Sequence, residues 1–440
     1  MDAEDLILIS VDDHVVEPPT LFLRHWPDAY RDRIPKVVKT DDGGDVWEFE
    51  GERAPNVGLN AVAGCPPDEY NLDPTQFTQM RPGCFDVHER VRDMNAAGVL
   101  AGLNFPTFPH FCGQYFGRIA NKDVALAAVR AYNDWHIDEW WGAYPDRFIP
   151  MSIPPLWDPQ LMADEIRRVA AKGCHAVTFS ENPSKLGLPS YHTDFWDPFF
   201  AACVDDAVTV CLHIGSSSSM LSTAPEAPPE VMISLTPINS LMAITDILFS
   251  GVFRRFPGLQ IAMSEGGIGW IPYALERADY VYRHHHAWTS TDLGGKLPSE
   301  LFHEHFWTCF IDDASGLEAR ERVGADHIMW EMDYPHSDST WPDAPEQLWA
   351  SLGKLPETDI ADISHRNAMR CFSFDPFSHR PEARCTARAL RAEATDVDVS
   401  IKSMGRRKAD ADAGALAARL ASVASKGAAP ASKGAAPASS

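Results

Sequence analysis

Asp12 and His14 stand two residues apart in the run ISVDDHVVEPP. On an extended chain that spacing puts both side chains on one face. A carboxylate beside an imidazole offers two kinds of metal ligand. Chemically similar residues end other apolar runs. CHAVTFSEN carries Glu181, VTVCLHIGSS holds His213, and LQIAMSEGG ends on Ser264 and Glu265. HFWTCFIDD ends on Asp312 and Asp313, and HIMWEMDYPH carries Asp333 and His336. A single Asp after a strand most often caps the next helix. Asp12 and His14 joined by a His and an Asp from distant strands are what a metal site requires, so a metal centre is expected.

The elements that must position these groups alternate. LILISVD (6–12), VLAGLNFPT (99–107), RFIPMSIPP, CHAVTFSEN (174–182), VTVCLHIGSS (208–217), LQIAMSEGG (259–267), HFWTCFIDD (305–313) and HIMWEMDYPH (327–336) read as strands. Helical patterns such as VHERVRDMNAAG, PQLMADEIRRVAAKG and WIPYALERADYVYRHHH stand between them. Strict alternation implies a parallel sheet with right-handed crossovers. Eight units predict an α/β fold, a closed (β/α)8 TIM barrel whose chemistry gathers at the C-terminal ends of its strands. An open doubly wound sheet is the alternative, but VDDHVVEPP lacks a Gly-rich phosphate turn. Residues 20–80, rich in Pro, Gly and Asp, read as a long insertion after the first strand, a lid or small β excursion. The barrel is expected over 1–380, a C-terminal extension over 381–403 and a disordered low-complexity tail over 404–440, where SKGAAPA occurs twice.

The chain of 440 residues has 38 Lys and Arg against 62 Asp and Glu, a net charge of −24. From Lys402 onward seven residues are basic and two acidic, so residues 1–401 carry about −29. A surface that acidic argues against nucleic acid and against anionic membranes as partners. No uninterrupted apolar run reaches the ~18 residues of a membrane helix. MDAEDLILIS has no basic segment before its apolar run, so no secretory signal is read there. Nine cysteines, none in a CxxC pair, suggest scattered thiols in a reducing, cytoplasmic compartment. GxGxxG, GxSxG, GKS/GKT and HExxH do not occur.

Taken in order, ISVDDHVVEPP, RVRDMNAAGV, NFPTF, FWDPFFAAC, CLHIG, ERAD, MDYPH and ISHRNAMRCFSF resemble the amidohydrolase superfamily, in the branch of aminocarboxymuconate-semialdehyde decarboxylase and the resorcylate decarboxylases. The resemblance runs from about Leu6 to Phe374. It implies metal ligands at Asp12, His14, His213 and Asp333, with Asp333 also acting as general acid or base. Two departures stand out: Asp12 replaces the first His of an HxH pair, and Ser264-Glu265 stands where strand six often has a His. Glu265 is thus a candidate ligand, acid/base or supporting group. Glu181 matches the bridging position of binuclear members. The oxygen-rich set suits Mn or Fe and is compatible with Zn, with one or two ions per chain.

Hydrolysis and non-oxidative decarboxylation of a small, aromatic or carboxylated molecule both fit these groups. A dinuclear iron or manganese oxygenase is the alternative, and an inactive partner subunit a third reading. A homodimer is the expected assembly. His192 and His336 lie at the correct end of the barrel for proton transfer or substrate binding. Asn104 and Thr107 are candidate substrate contacts. Glu17 either supports the metal site or bonds the insertion backbone. His303 and His305 precede strand seven, at the wrong end, and His284, His285 and His286 end a surface helix.

Overall fold

The computed structural model describes residues 1–405 apart from 42, 55–56, 71–75 and 225. Eight parallel strands form its centre: β1 (Ile9–Val15), β2 (Ala101–Pro106), β3 (Phe148–Ile149 with Met151–Ser152), β4 (Ala176–Ser180), β5 (Thr209–His213), β6 (Ile261–Ser264), β7 (Phe306–Phe310) and β8 (Ile328–Trp330). β3 is one run divided at Pro150, which has no N–H to give a ladder. Its first half pairs with β2 and its second with β4. The sheet therefore returns to its own start and closes, in the order β3, β2, β1, β8, β7, β6, β5, β4. This is the barrel expected from the alternation, with all eight strands where the apolar runs placed them.

The two faces of the sheet bury different partners. Ile9, Val11, Leu103, Phe105, Ile149, Met151, Ala176, Cys211, Ala262, Cys309 and Met329 cluster together, closed off by Ala368, Cys371, Phe372 and Leu390. A second, larger cluster joins Leu8, Val15, Val177, Leu212, Met263 and Phe310 to the helices. The helix Val87–Ala97 shows why the elements begin and stop where they do. Asp86 accepts from the His88 and Glu89 N–H groups at its start, and Gly98 ends it in the left-handed region at φ 71°.

β1 contains a bulge. Ser10 faces Gly102 and Asp13 faces Asn104, so three steps on β1 match two on β2. The extra residue reverses the alternation. Ile9 and Val11 point into the barrel before it, and Asp12 and His14 reach the centre after it.

The insertion contains an antiparallel sheet of Lys36–Lys39, Asp45–Phe49 and Glu52–Ala54. Trp47 from this sheet stacks on Phe108 at 4.3 Å, so the insertion braces the loop after β2. Glu17 braces the same loop by accepting from the N–H groups of Thr107 and Phe108 at 3.0 and 2.7 Å. Of its two expected roles, Glu17 takes backbone support, but for the β2 loop and not for the insertion.

All nine cysteines are buried thiols. The expectation about membrane-length stretches needs one correction. Pro229–Leu248, whose most apolar 18 residues have a mean hydropathy of 1.5, is long and apolar enough by length and composition to cross a membrane. In the fold it is interrupted at Leu235, between the helices Pro229–Ser234 and Thr236–Leu248. Its isolated polar residues hid it from a search for unbroken apolar runs. The repeats of the tail lie outside the described residues.

Candidate metal centre

Six of the expected groups meet at the C-terminal mouth of the barrel. His14 Nε2 lies 3.5 Å from Asp12 Oδ1 and 3.4 Å from Asp333 Oδ1. His213 Nε2 lies 3.3 Å from His14 Nε2, 3.5 Å from Asp12 Oδ2 and 3.2 Å from Glu265 Oε2. His336 Nδ1 lies 3.0 Å from Asp333 Oδ1. Asp12, His14, His213 and Asp333 are at most 1 % exposed.

These short approaches leave polar atoms unsatisfied. Both carboxylate oxygens of Asp12 and both of Asp333 are buried without a hydrogen-bond partner. An unpaired buried carboxylate costs several kcal/mol or more unless a proton or cation compensates it. The imidazoles suit a cation. His213 Nδ1 bonds the Ile214 carbonyl, which leaves Nε2 bare and facing the carboxylates. Asp12, His14 and His213 bring ligand atoms within 4.8 Å of one another, as do His14, Asp333 and His336. The donor set therefore fits a divalent ion of the Mn, Fe or Zn type.

Burial shapes the titration of the centre. It pushes the carboxyls of Asp12, Glu265 and Asp333 well above the usual range, and their neighbouring carboxylates push further. It holds His14 far below an ordinary imidazole, and His213 and His336 down to about 3. A bound cation reverses the carboxyl shifts and uses the neutral imidazoles as they stand.

Backbone strain sets two of the carboxylates. Glu265 and Asp333 adopt φ of 57° and 55°, a region unfavourable to residues other than Gly and concentrated at functional sites. Asp333 is held there by its N–H, which donates to the Asp12 carbonyl at 2.8 Å. Glu265 is held by Glu331, whose Oε2 accepts from the Glu265 N–H at 3.1 Å and from Cys309 Sγ at 2.6 Å.

Glu331 is 1 % exposed, and burial pushes its carboxyl up to about 7. Sequence reasoning missed it, although it stands two residues before Asp333, the spacing used to connect Asp12 with His14. Phe111 was also missed. Its ring lies 4.2 Å from His213 and 5.3 Å from His14, and Phe105 lies 4.8 Å from His213. No local signal separates these rings from ordinary core.

Four expected residues have partners outside the set just described. Glu181 is turned to the loop after β5, where the hydroxyls of Ser216 and Ser217 donate to its two oxygens. Two donors satisfy the carboxylate that was expected to bridge metals. His192 is half exposed and pairs with Asp246 at 2.7 Å on the surface. Asn104 Oδ1 accepts from Trp140 Nε1 at 2.8 Å, and the Thr107 N–H is taken by Glu17. Among the remaining histidines, His305 is buried against Phe253 and bonds the Leu259 carbonyl. His284 and His286 bond carbonyls of their own helix.

A family profile described as Amidohydrolase matches residues 24–374. Gamma-resorcylate decarboxylase of Rhizobium sp. (strain MTP-10005) is 24% identical over 344 residues, covering 72% of this chain and 94% of that protein. The 2-amino-3-carboxymuconate-6-semialdehyde decarboxylase of Dictyostelium discoideum is 23% identical over 313 residues, covering 69% and 81%. In fold, the chain is similar to 5-carboxyvanillate decarboxylase of Novosphingobium aromaticivorans, solved with manganese and 4-hydroxy-3-methoxy-5-nitrobenzoic acid. The TM-score is 0.59 at 18% identity, over 84% of this chain and 97% of that one.

Proposed function

The chain belongs to the amidohydrolase family, and from that premise we propose that it is a metal-dependent carboxy-lyase that removes carbon dioxide, without an oxidant, from a small aromatic carboxylic acid. The observation that carries the reading is the set of four unpartnered carboxylate oxygens of Asp12 and Asp333 facing the imidazoles of His14 and His213. The decarboxylase relatives support the choice of reaction.

Asp12, His14, His213 and Asp333 would hold the ion. When bound, it supplies positive charge against the negative charge that develops on the substrate oxygens. The partly exposed ring of Phe111 beside His213 offers a flat apolar face to an aromatic substrate. Glu265 is the proton donor in this reading. Burial and the neighbouring Asp333 raise the proton affinity of its carboxyl, and at 22% exposure its side chain can be reprotonated from solvent. As the bond to the carboxyl carbon breaks, carbon dioxide leaves. The electron pair left on the ring carbon takes the Glu265 proton.

The test is a panel of hydroxybenzoic acids that includes gamma-resorcylate, given to the manganese-loaded protein. Carbon dioxide release is expected, and product made in D2O should carry one deuterium at the former carboxyl position. Glu265→Gln should lower kcat by about 10²–10⁴-fold. Cleavage of esters or amides without carbon dioxide release would overturn the reading in favour of hydrolysis. Substrate-dependent oxygen uptake would overturn it in favour of an oxygenase.

A further inference from the structure

His14 contacts two other imidazoles of the centre in different ways. Against His213 its ring stands at 80°, with centroids 5.0 Å apart and the two Nε2 atoms at 3.3 Å. Two nitrogens bound at right angles to one ion with bonds of about 2.1 Å lie roughly 3 Å apart, so His14 and His213 suit a shared ion. Against His336 the ring is stacked, with centroids at 3.7 Å and planes 27° apart.

A ring nitrogen directs its lone pair within the ring plane. An ion shared by two imidazoles must therefore lie where their planes cross. For His14 and His336 that crossing is roughly 7 Å from the ring centres, about twice the reach of a nitrogen–metal bond of ~2.1 Å. In-plane bonding therefore disfavours one ion on both residues. Rings stacked in this way direct their nitrogens to neighbouring positions and not to a common one, the arrangement a two-metal site needs.

The carboxylates fit the same arrangement. Asp333 Oδ1 lies 3.4 Å from His14 Nε2 and 3.0 Å from His336 Nδ1. Neither Asp333 oxygen has a hydrogen-bond partner, so the His336 contact is close without alignment for a shared proton. Approaches of about 3 Å between unbonded donor atoms are the edges of a coordination shell with ~2.1 Å bonds. His336, 7 % exposed, also keeps its Nε2 unpartnered.

We infer that the centre takes two divalent cations, one on Asp12, His14 and His213 and a second on His336, with Asp333 shared between them. The inference rests on the metal-dependent reading above and adds the second position to it. Glu181 has no part in it, because Ser216 and Ser217 occupy its oxygens.

Metal-free protein reloaded with Mn²⁺ and freed of excess provides the test, by mass-spectrometric metal counting and low-temperature electron paramagnetic resonance. Two manganese per chain are expected, with the spectrum of a magnetically coupled pair. His336→Ala should hold one, with the spectrum of an isolated ion and an unchanged circular dichroism. One isolated manganese per wild-type chain would overturn the second position and leave the first standing. None would overturn the metal reading itself. Two retained in His336→Ala would overturn the assignment to His336. Should that variant not fold, the wild-type count and coupling decide alone.

Discussion

Glu331 shows how an unremarkable residue can govern a site. It touches no proposed ligand atom, yet it accepts the backbone N–H of strained Glu265. Truncating it leaves that N–H without its partner, a cost of about 1–3 kcal/mol for a buried group. It also frees Glu265 to leave its position 3.2 Å from His213. Glu331→Ala should lower metal affinity or kcat by roughly 10–100-fold, as loss of a supporting partner does. Glu331→Gln keeps an acceptor oxygen and should recover much of the loss. Metal titrations and steady-state kinetics on both variants check this. Equal losses in the two would assign the effect to charge. Asp333→Asn keeps the shape but removes the charge, and should cost more than Glu331→Ala in bound metal per chain.

The helical and strand elements have their own pH dependence, separate from the metal. His136 begins the irregular turn His136–Trp141, and its Nδ1 bonds the Met151 carbonyl of β3 at 2.7 Å. Burial holds it neutral, with its pKa lowered to about 4 from 6.5. The unfolded chain takes up this proton below pH 6.5, and the folded chain does so only near 4. Stability from neutral His136 is thus present above pH 6.5 and lost as pH falls through 4. A shift of this size is worth about 3 kcal/mol at most. Denaturant unfolding from pH 7 to pH 4 should show a shallower slope in His136→Gln than in the wild type. Identical slopes would show that other groups carry the acid sensitivity.

How far the elements were readable depended on where their information lies. β5 and β6 were legible because VTVCLH and LQIAMS are short apolar runs flanked by helical patterns. Gly98 was legible as a helix stop because it lacks the Cβ that disfavours the left-handed turn. The bulge between Ser10 and Asp13 was not legible. It is a mismatch of register between β1 and β2, and neither strand contains it alone. The i, i+2 spacing put Asp12 and His14 on a common face, but only the bulge decides that this face looks into the barrel.

For the whole molecule, the gathering of Asp12, Glu265, Glu331 and Asp333 in one mouth predicts that a bound divalent ion would stabilise the fold. A ligand present at 100 times its Kd stabilises the folded state by about 2.7 kcal/mol. Chelation should lower Tm by several degrees, and Mn²⁺ should restore it. Asp12→Asn should weaken that response, as scanning calorimetry can show. An unchanged Tm on chelation would contradict a tightly bound ion.

The sequence by itself determined the alternation of strands and helices, hence the barrel, and with it the end of the barrel where Asp12, His14, His213, Glu265, Asp333 and His336 must gather. Period and strand order are local and additive along the chain, so they survive without coordinates. The tertiary structure alone decided which ligand-type residues are already satisfied and which are not. Glu181 has two serines from another strand's loop, Glu331 supports a neighbour's backbone, and the carboxylate oxygens of Asp12 and Asp333 have no hydrogen-bond partner. It also decided that His14 meets His213 edge-on and His336 face-on. Whether a donor atom is free, and where its lone pair points, depends on angles between residues hundreds of positions apart, which spacing along one chain does not encode.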